Sequence, residues 1–97
     1  MQHVRVATYA ITNGTADDVF GAGRDGMLPV FEQQPGFLGY GLADDGNGTI
    51  LSISRWETRQ SAQDAAATAA EWVKDNLADR VSLLSSYVGD FGLYVEA

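Results

Sequence analysis

Ser52, Ser54 and Trp56 alternate along the segment Ser52 to Thr58, SISRWET. In an extended strand, residues two apart share a face. Ile50, Ser52, Ser54 and Trp56 therefore look one way, and Leu51, Ile53 and Arg55 the other. Two small serines beside a large indole leave an open space with an aromatic wall. Arg5 and Tyr9 share a face of an N-terminal strand in the same manner, with Ala7 between them. If that face is the helix side, Tyr9 can donate a hydrogen bond and Arg5 can hold an anionic oxygen in the same space. Such a set would do electrostatic chemistry on a small anion. Phe20, Met27, Phe31 and Ala66, from the helical segments, are the expected remaining lining. Each principal residue also has a plain structural role. Trp56 can be a core aromatic at the sheet edge, and Arg5 one half of a surface ion pair. Trp72, near the boundary of a helix's apolar face, reads as a packing residue or a dimer contact.

Other chemistries lack their residues. Without cysteine there is no disulfide, thiolate metal site or cysteine nucleophile. His3 is the sole histidine and cannot make a zinc site alone. No serine sits in a nucleophile-elbow pattern. Gly21 to Gly26, GAGRDG, matches the dinucleotide-binding glycine spacing, but that motif belongs in the tight turn directly after a strand, and here Asn13-Gly14 makes that turn earlier. Glycines facing a sheet would instead widen a cavity. Asp44, Asp45 and Asn47 lack the twelfth-position glutamate of a calcium loop and read as a hairpin turn. No metal or cofactor is expected.

These residues need a scaffold, and the pattern supplies one. His3 to Thr12 reads as a strand with no cleanly polar face, as in a strand buried on both sides. Thr15 and Asp18 form a capping box, so a helix starts near Ala16. Gly21, Gly23, Gly26 and Pro29 predict a broken or kinked helix held by packing and ended by Gln34-Pro35-Gly36. Phe37 to Ala43 and Thr49 to Glu57 read as strands joined by the turn Asp44 to Gly48. Thr58 caps a second helix running to about Leu77, with Ala62, Ala66, Ala69, Ala70 and Val73 on its apolar face. Asp79 to Leu84 is expected to add a helical turn, and Tyr87 to Glu96 to be the last strand. The order β-α-β-β-α-β implies an α+β, ferredoxin-like antiparallel sheet with both helices on one face. Strands apolar on both faces need a cover on the other side, and a second copy of the chain is the simplest one.

Bulk properties agree. Ninety-seven residues, 45% of them hydrophobic, suit a single domain (residues 1–97) with a modest core. A net charge of −7 disfavours nucleic acid and anionic membrane surfaces. The alternating N-terminus does not read as a signal peptide, and no apolar run approaches the ~20 residues of a membrane span. A cytoplasmic protein is expected.

Gln34 to Gly41 (QPGFLGYG), Ser52 to Thr58 (SISRWET) and Ala69 to Val73 (AAEWV), at this spacing, resemble the antibiotic-biosynthesis monooxygenase (ABM) domain family. The resemblance covers nearly the whole chain and implies a dimeric α+β barrel. Characterised members include cofactor-free oxygenases that turn phenolic polyketides into quinones, and haem-degrading enzymes. In both, the tryptophan matched by Trp56 lines the pocket. The departures are specific. The polyketide oxygenases carry asparagine where this chain has Ser52 and tyrosine where it has Ala62. The haem degraders carry asparagine where it has Ala7, and a helix histidine that it lacks. Haem degradation is therefore not expected. The resemblance implies a cofactor-independent monooxygenase that oxidises a small quinol or phenol, with Trp56 as a catalytic residue; the strand pattern adds Tyr9 and Arg5 as the expected catalytic donors. The alternative is a non-catalytic, small-ligand-binding or stress-associated barrel. A third reading is a structural dimer with no pocket. A ligand cavity should measure roughly 300 Å³ or more.

Overall fold

In a computed structural model, which describes residues 2–97, four strands form one antiparallel sheet with the helices on one side. The strands are β1 (His3–Ile11), β2 (Phe37–Asp44), β3 (Thr49–Trp56) and β4 (Val81–Asp90), and their order across the sheet is β2-β3-β1-β4. The helices are α1 (Ala16–Ala22), α2 (Leu28–Glu32) and α3 (Arg59–Asn76). This is the expected ferredoxin-like plan: β1 and β2 run the same way but are split by β3.

Local chemistry explains the element boundaries. Thr15 accepts from the Asp18 N–H and Asp18 accepts from the Thr15 N–H, so α1 begins on a complete capping box. The same contact holds the Asp18 carboxyl below its ordinary pKa, chiefly through the Thr15 backbone hydrogen bond. Between α1 and α2 the helix widens into a π-helical turn, Gly23–Met27, closed by a hydrogen bond from the Leu28 N–H to the Gly23 carbonyl. Pro29 has no N–H with which to continue either ladder, and Gly23 and Gly26 resist the wide turn least. The broken helix inferred from sequence is thus a π-bulge. The glycine run sits inside the helix, away from any strand-to-helix turn. Asp44 and Asp45 accept from the N–H groups of Gly46, Asn47 and Thr49, as a hairpin turn requires. Thr58 caps α3 through the Ser61 N–H.

Two expectations are corrected at the C-terminal end. The chain turns at Ala78 to Arg80 and enters β4 at Val81, so Asp79 to Leu84 adds no helical turn. The last strand ends at Asp90, and residues 91–97 carry no regular structure. The reason is pairing: β1 has a free edge whose N–H and C=O groups need partners, and Val81 to Asp90 lies opposite its whole length, with a bulge at Thr8/Tyr9. On α3 the buried stripe is Ala62, Ala65 and Ala69; Ala66 is half-buried and Ala70 is exposed. A period of 3.6 turns Ala65 inward in preference to Ala66 and Ala70.

The core has two parts on the helix side. One gathers Ala7, Tyr9, Val19, Ile50, Leu77 and Val81; the other gathers Met27, Phe31, Trp56, Ala62, Ala65 and Ala69. Trp72 packs against both.

Candidate functional site

The helix side of the sheet presents Arg5, Ala7 and Tyr9 from β1, and Ile50, Ser52, Ser54 and Trp56 from β3, all buried. Register sets the neighbours: Arg5 lies opposite Ser54, which lies opposite Tyr40, and Ala7 lies opposite Ser52, which lies opposite Leu42. Tyr40 and Leu42 therefore belong to the same face. An irregularity between Phe37 and Gly39 brings Phe37 opposite Trp56 as well.

A cleft opens between this face and the helices. Its floor is Arg5, Tyr9 and Ser52, its β2 wall is Tyr40 and Leu42, and its helical walls include Gly23, Met27 and Trp72. The empty space in and around its mouth, open solvent included, totals about 390 Å³. Only about 30 Å³ of it admits the centre of a water molecule. The second figure decides what fits without movement, and it corresponds to about two waters. Gly23 borders the cleft because any Cβ there would come within 2.7 Å of Leu42 Cδ1 and 3.1 Å of Tyr40 Oη.

Arg5 dominates the electrostatics. It is 2% exposed, yet among the described residues no carboxylate pairs with it. Its Nη2 donates to Tyr9 Oη at 2.8 Å and its Nη1 to Ser52 Oγ at 3.2 Å, while Nε has no partner. Two hydroxyl dipoles replace only part of the hydration a guanidinium gives up, so the cleft floor holds a desolvated positive charge. Burial pushes the Tyr40 hydroxyl up to about 12, against the opposing pull of Arg5. Tyr40 is thus a proton-bearing donor throughout the neutral and mildly alkaline range. No carboxylate or imidazole lines the cleft among the described residues, and no group of three His, Cys, Asp or Glu there is placed to hold a metal ion.

The structure sorts the residues singled out from sequence. Arg5, Tyr9, Ser52 and Met27 meet at the cleft. Arg5 is not a surface ion pair. Trp56 is the main correction of position: it is fully buried and does not line the cleft. Its indole N–H donates to Ser54 Oγ at 2.8 Å, so the serine that was to leave space beside it is consumed as its partner. Its ring packs edge-on to Phe31 and Phe37, at centroid distances of 5.3 and 5.4 Å. Phe31 in turn stands edge-on to Tyr40 at 5.2 Å, so Phe31 and Tyr40 link Trp56 to the cleft. Ala7, Ser54 and Phe31 are buried but do not line the cleft, Ala66 is half-buried and lies outside its lining, and Phe20 packs at the margin of the first core cluster. Tyr40, Leu42 and Trp72 were not read from sequence as lining. The alternation Gly39-Tyr40-Gly41-Leu42 carried the signal for the first two, since it sets large residues on one face and glycines on the other.

Known proteins place this geometry. Among solved structures, SnoaB, a cofactor-independent oxygenase from Streptomyces nogalater, superposes with a TM-score of 0.75 at 15% identity, over 99% of this chain and 98% of that one. The monooxygenase from the gene ActVA-Orf6 of Streptomyces coelicolor, in complex with the ligand Nanaomycin D, gives 0.71 at 17% identity, over 98% and 92%. An uncharacterized NIPSNAP-like domain protein from Burkholderia xenovorans gives 0.67 at 12% identity, over 99% and 90%. At these identities the likeness is one of fold. No curated protein matches the chain. No helix among the described residues is long and apolar enough to cross a membrane. The family model for antibiotic biosynthesis monooxygenases matches residues 2–83, which takes in β1 through the start of β4 and every residue of the cleft, and the chain belongs to that family.

Proposed function

We propose that this chain is a cofactor-independent monooxygenase that oxidises a small, electron-rich aromatic, a quinol or phenol, in the cleft between sheet and helices. The observation that carries the reading is the buried Arg5 guanidinium, which lacks an acidic partner and has one donor free. A bound phenolate would complete its environment. Arg5 favours the substrate's anion over its neutral form, which lowers the pKa of a bound phenol. The anion passes an electron to dioxygen, and the radical pair combines at a ring carbon. One oxygen atom becomes the new carbonyl and the other leaves as water, so a phenol and O₂ give a quinone and H₂O. Tyr9 and Tyr40 donate hydrogen bonds to oxygen atoms of the anion, and the apolar walls exclude water. Trp56 acts by packing, holding Phe31 and through it Tyr40 in place.

A homodimer completes the proposal. The sheet face away from the helices carries a cross-strand row of Gly41, Ile53, Val6 and Tyr87, of which Ile53 is 36% and Tyr87 65% exposed. A second copy laid on this face would bury it.

The test is oxygen consumption by the purified chain with quinols and anthrone-like phenols. Turnover should saturate with substrate and fall in Arg5→Met. No consumption above the uncatalysed rate would favour the second reading, a non-catalytic binder of small aromatic ligands. The cleft's lack of a carboxylate or imidazole base supports that second reading.

A further inference from the structure

The cleft is smaller than the ligand its walls suit. About 30 Å³ is open, whereas a dry cavity that takes benzene measures about 150 Å³. A lining side chain must move before any ring enters. Most cannot move cheaply. Arg5 is held by Tyr9 and Ser52, and Ile50, Met27, Val19 and Ala69 are buried in the two core clusters.

Trp72 is different. It lies on α3 where the two clusters meet, it is only half-buried, and its indole N–H makes no hydrogen bond among the described residues. Its ring lies against Gly26 of the π-helical turn so closely that a Cβ on Gly26 would overlap Trp72 Cζ2. The closed cleft thus depends on a glycine at one position and a tryptophan at the other. We infer that Trp72 is the gate and size-determining residue of this cleft, and that the ligand is a planar aromatic of about two fused rings, which fills the space the indole leaves. Swinging the indole into solvent sacrifices packing but breaks no hydrogen bond. Apparent affinity is then the intrinsic affinity reduced by the fraction of molecules that are open. Gly26 sets that fraction, because it alone permits the closed position. The inference rests on the reading of the cleft as a ligand site, but not on oxygen chemistry.

The chain has two tryptophans, so Trp56→Phe leaves Trp72 as the single fluorophore. In that background, Gly26→Ala should shift Trp72 emission to longer wavelength and raise its acrylamide quenching severalfold. With 1-naphthol as probe, association with the unmodified chain should level off as concentration rises, because opening becomes limiting. In Gly26→Ala and Trp72→Phe it should be about tenfold faster, in proportion to the larger open fraction. An indole that stays buried in Gly26→Ala would overturn the gate. So would equal 1-naphthol association in all three proteins, or weaker binding by Trp72→Phe at an unchanged association rate, which would make Trp72 a stacking wall. Oxygen consumption with unaltered 1-naphthol kinetics would overturn the gate and leave the oxygenase reading intact. Faster admission with no oxygen consumption from any phenol would support the gate and sink the oxygenase reading.

Discussion

Arg5 and Tyr9 stand four residues apart on the same face of β1, and the Arg5 guanidinium donates to the Tyr9 hydroxyl at 2.8 Å. A strand rises about 3.3 Å per residue, so two long side chains must lean toward each other to close this gap. The contact points one guanidinium nitrogen along the sheet and ties it to a neutral acceptor. The charge has no carboxylate partner among the described residues, and under the proposed function a bound anion would compensate it.

Replacing Arg5 should therefore separate stability from function. Arg5→Met removes a buried cation without leaving an unpaired charge, and such replacements are neutral or stabilising by about 1–4 kcal/mol. Activity should fall about 10²-fold, the usual effect of losing a donor to a developing oxyanion. Thermal melts and initial rates of oxygen uptake check both halves. A large loss of stability would show that Arg5 holds the fold together instead.

Tyr40 predicts the alkaline limb of stability. Its hydroxyl titrates at 10.0 when unperturbed and is raised to about 12 in the fold, chiefly by burial. Between those values the unfolded chain releases the proton and the folded chain keeps it. The stabilising contribution is complete below about pH 10 and is lost as pH rises toward 12, up to about 3 kcal/mol in all. Denaturant titrations from pH 9 to 12 should show this loss, and Tyr40→Phe should flatten it.

Trp56 should behave as a packing residue. Trp56→Ala would cost about 3–5 kcal/mol, as for other large-to-small core changes. Trp56→Phe keeps most of the ring contacts and strands Ser54 Oγ, at a cost of about 1–2 kcal/mol. Its kcat should change far less than that of Arg5→Met. Equal losses in the two variants would place the indole in the reaction itself.

The outer sheet face should control assembly. Ile53 and Tyr87 both lie opposite Val6, one on each side of it. Like charges placed there would be buried without partners at any interface. Ile53→Glu with Tyr87→Glu should turn a dimer into a monomer in sedimentation velocity, with circular dichroism unchanged. An unmodified chain that sediments as a monomer would refute the dimer.

Much of the scaffold was legible in the residues themselves. The capping box at Thr15, the helix break over Gly21 to Pro29, the hairpin at Asp44 to Gly48 and the order of elements all rest on contacts within a few residues, where local chemistry decides. The shared face of Arg5, Ala7 and Tyr9 followed from a period of two, as did that of Ser52, Ser54 and Trp56. Tertiary structure decided the rest. Whether those two faces look at helices or at solvent depends on which side α1 and α3 pack. Where β4 begins depends on the free edge of β1, whose Ile11 pairs with Val81 about 70 residues away in sequence, and that pairing outweighs local preference at Leu83 and Leu84. Trp56 and Trp72 exchange their expected places for the same reason. Ser54 and Phe31 enclose the first, while Gly26, close to it only in space, lets the second lie across the cleft. Alternation assigns a side chain to a face, but the depth at which it sits on that face is set by what the other elements bring against it.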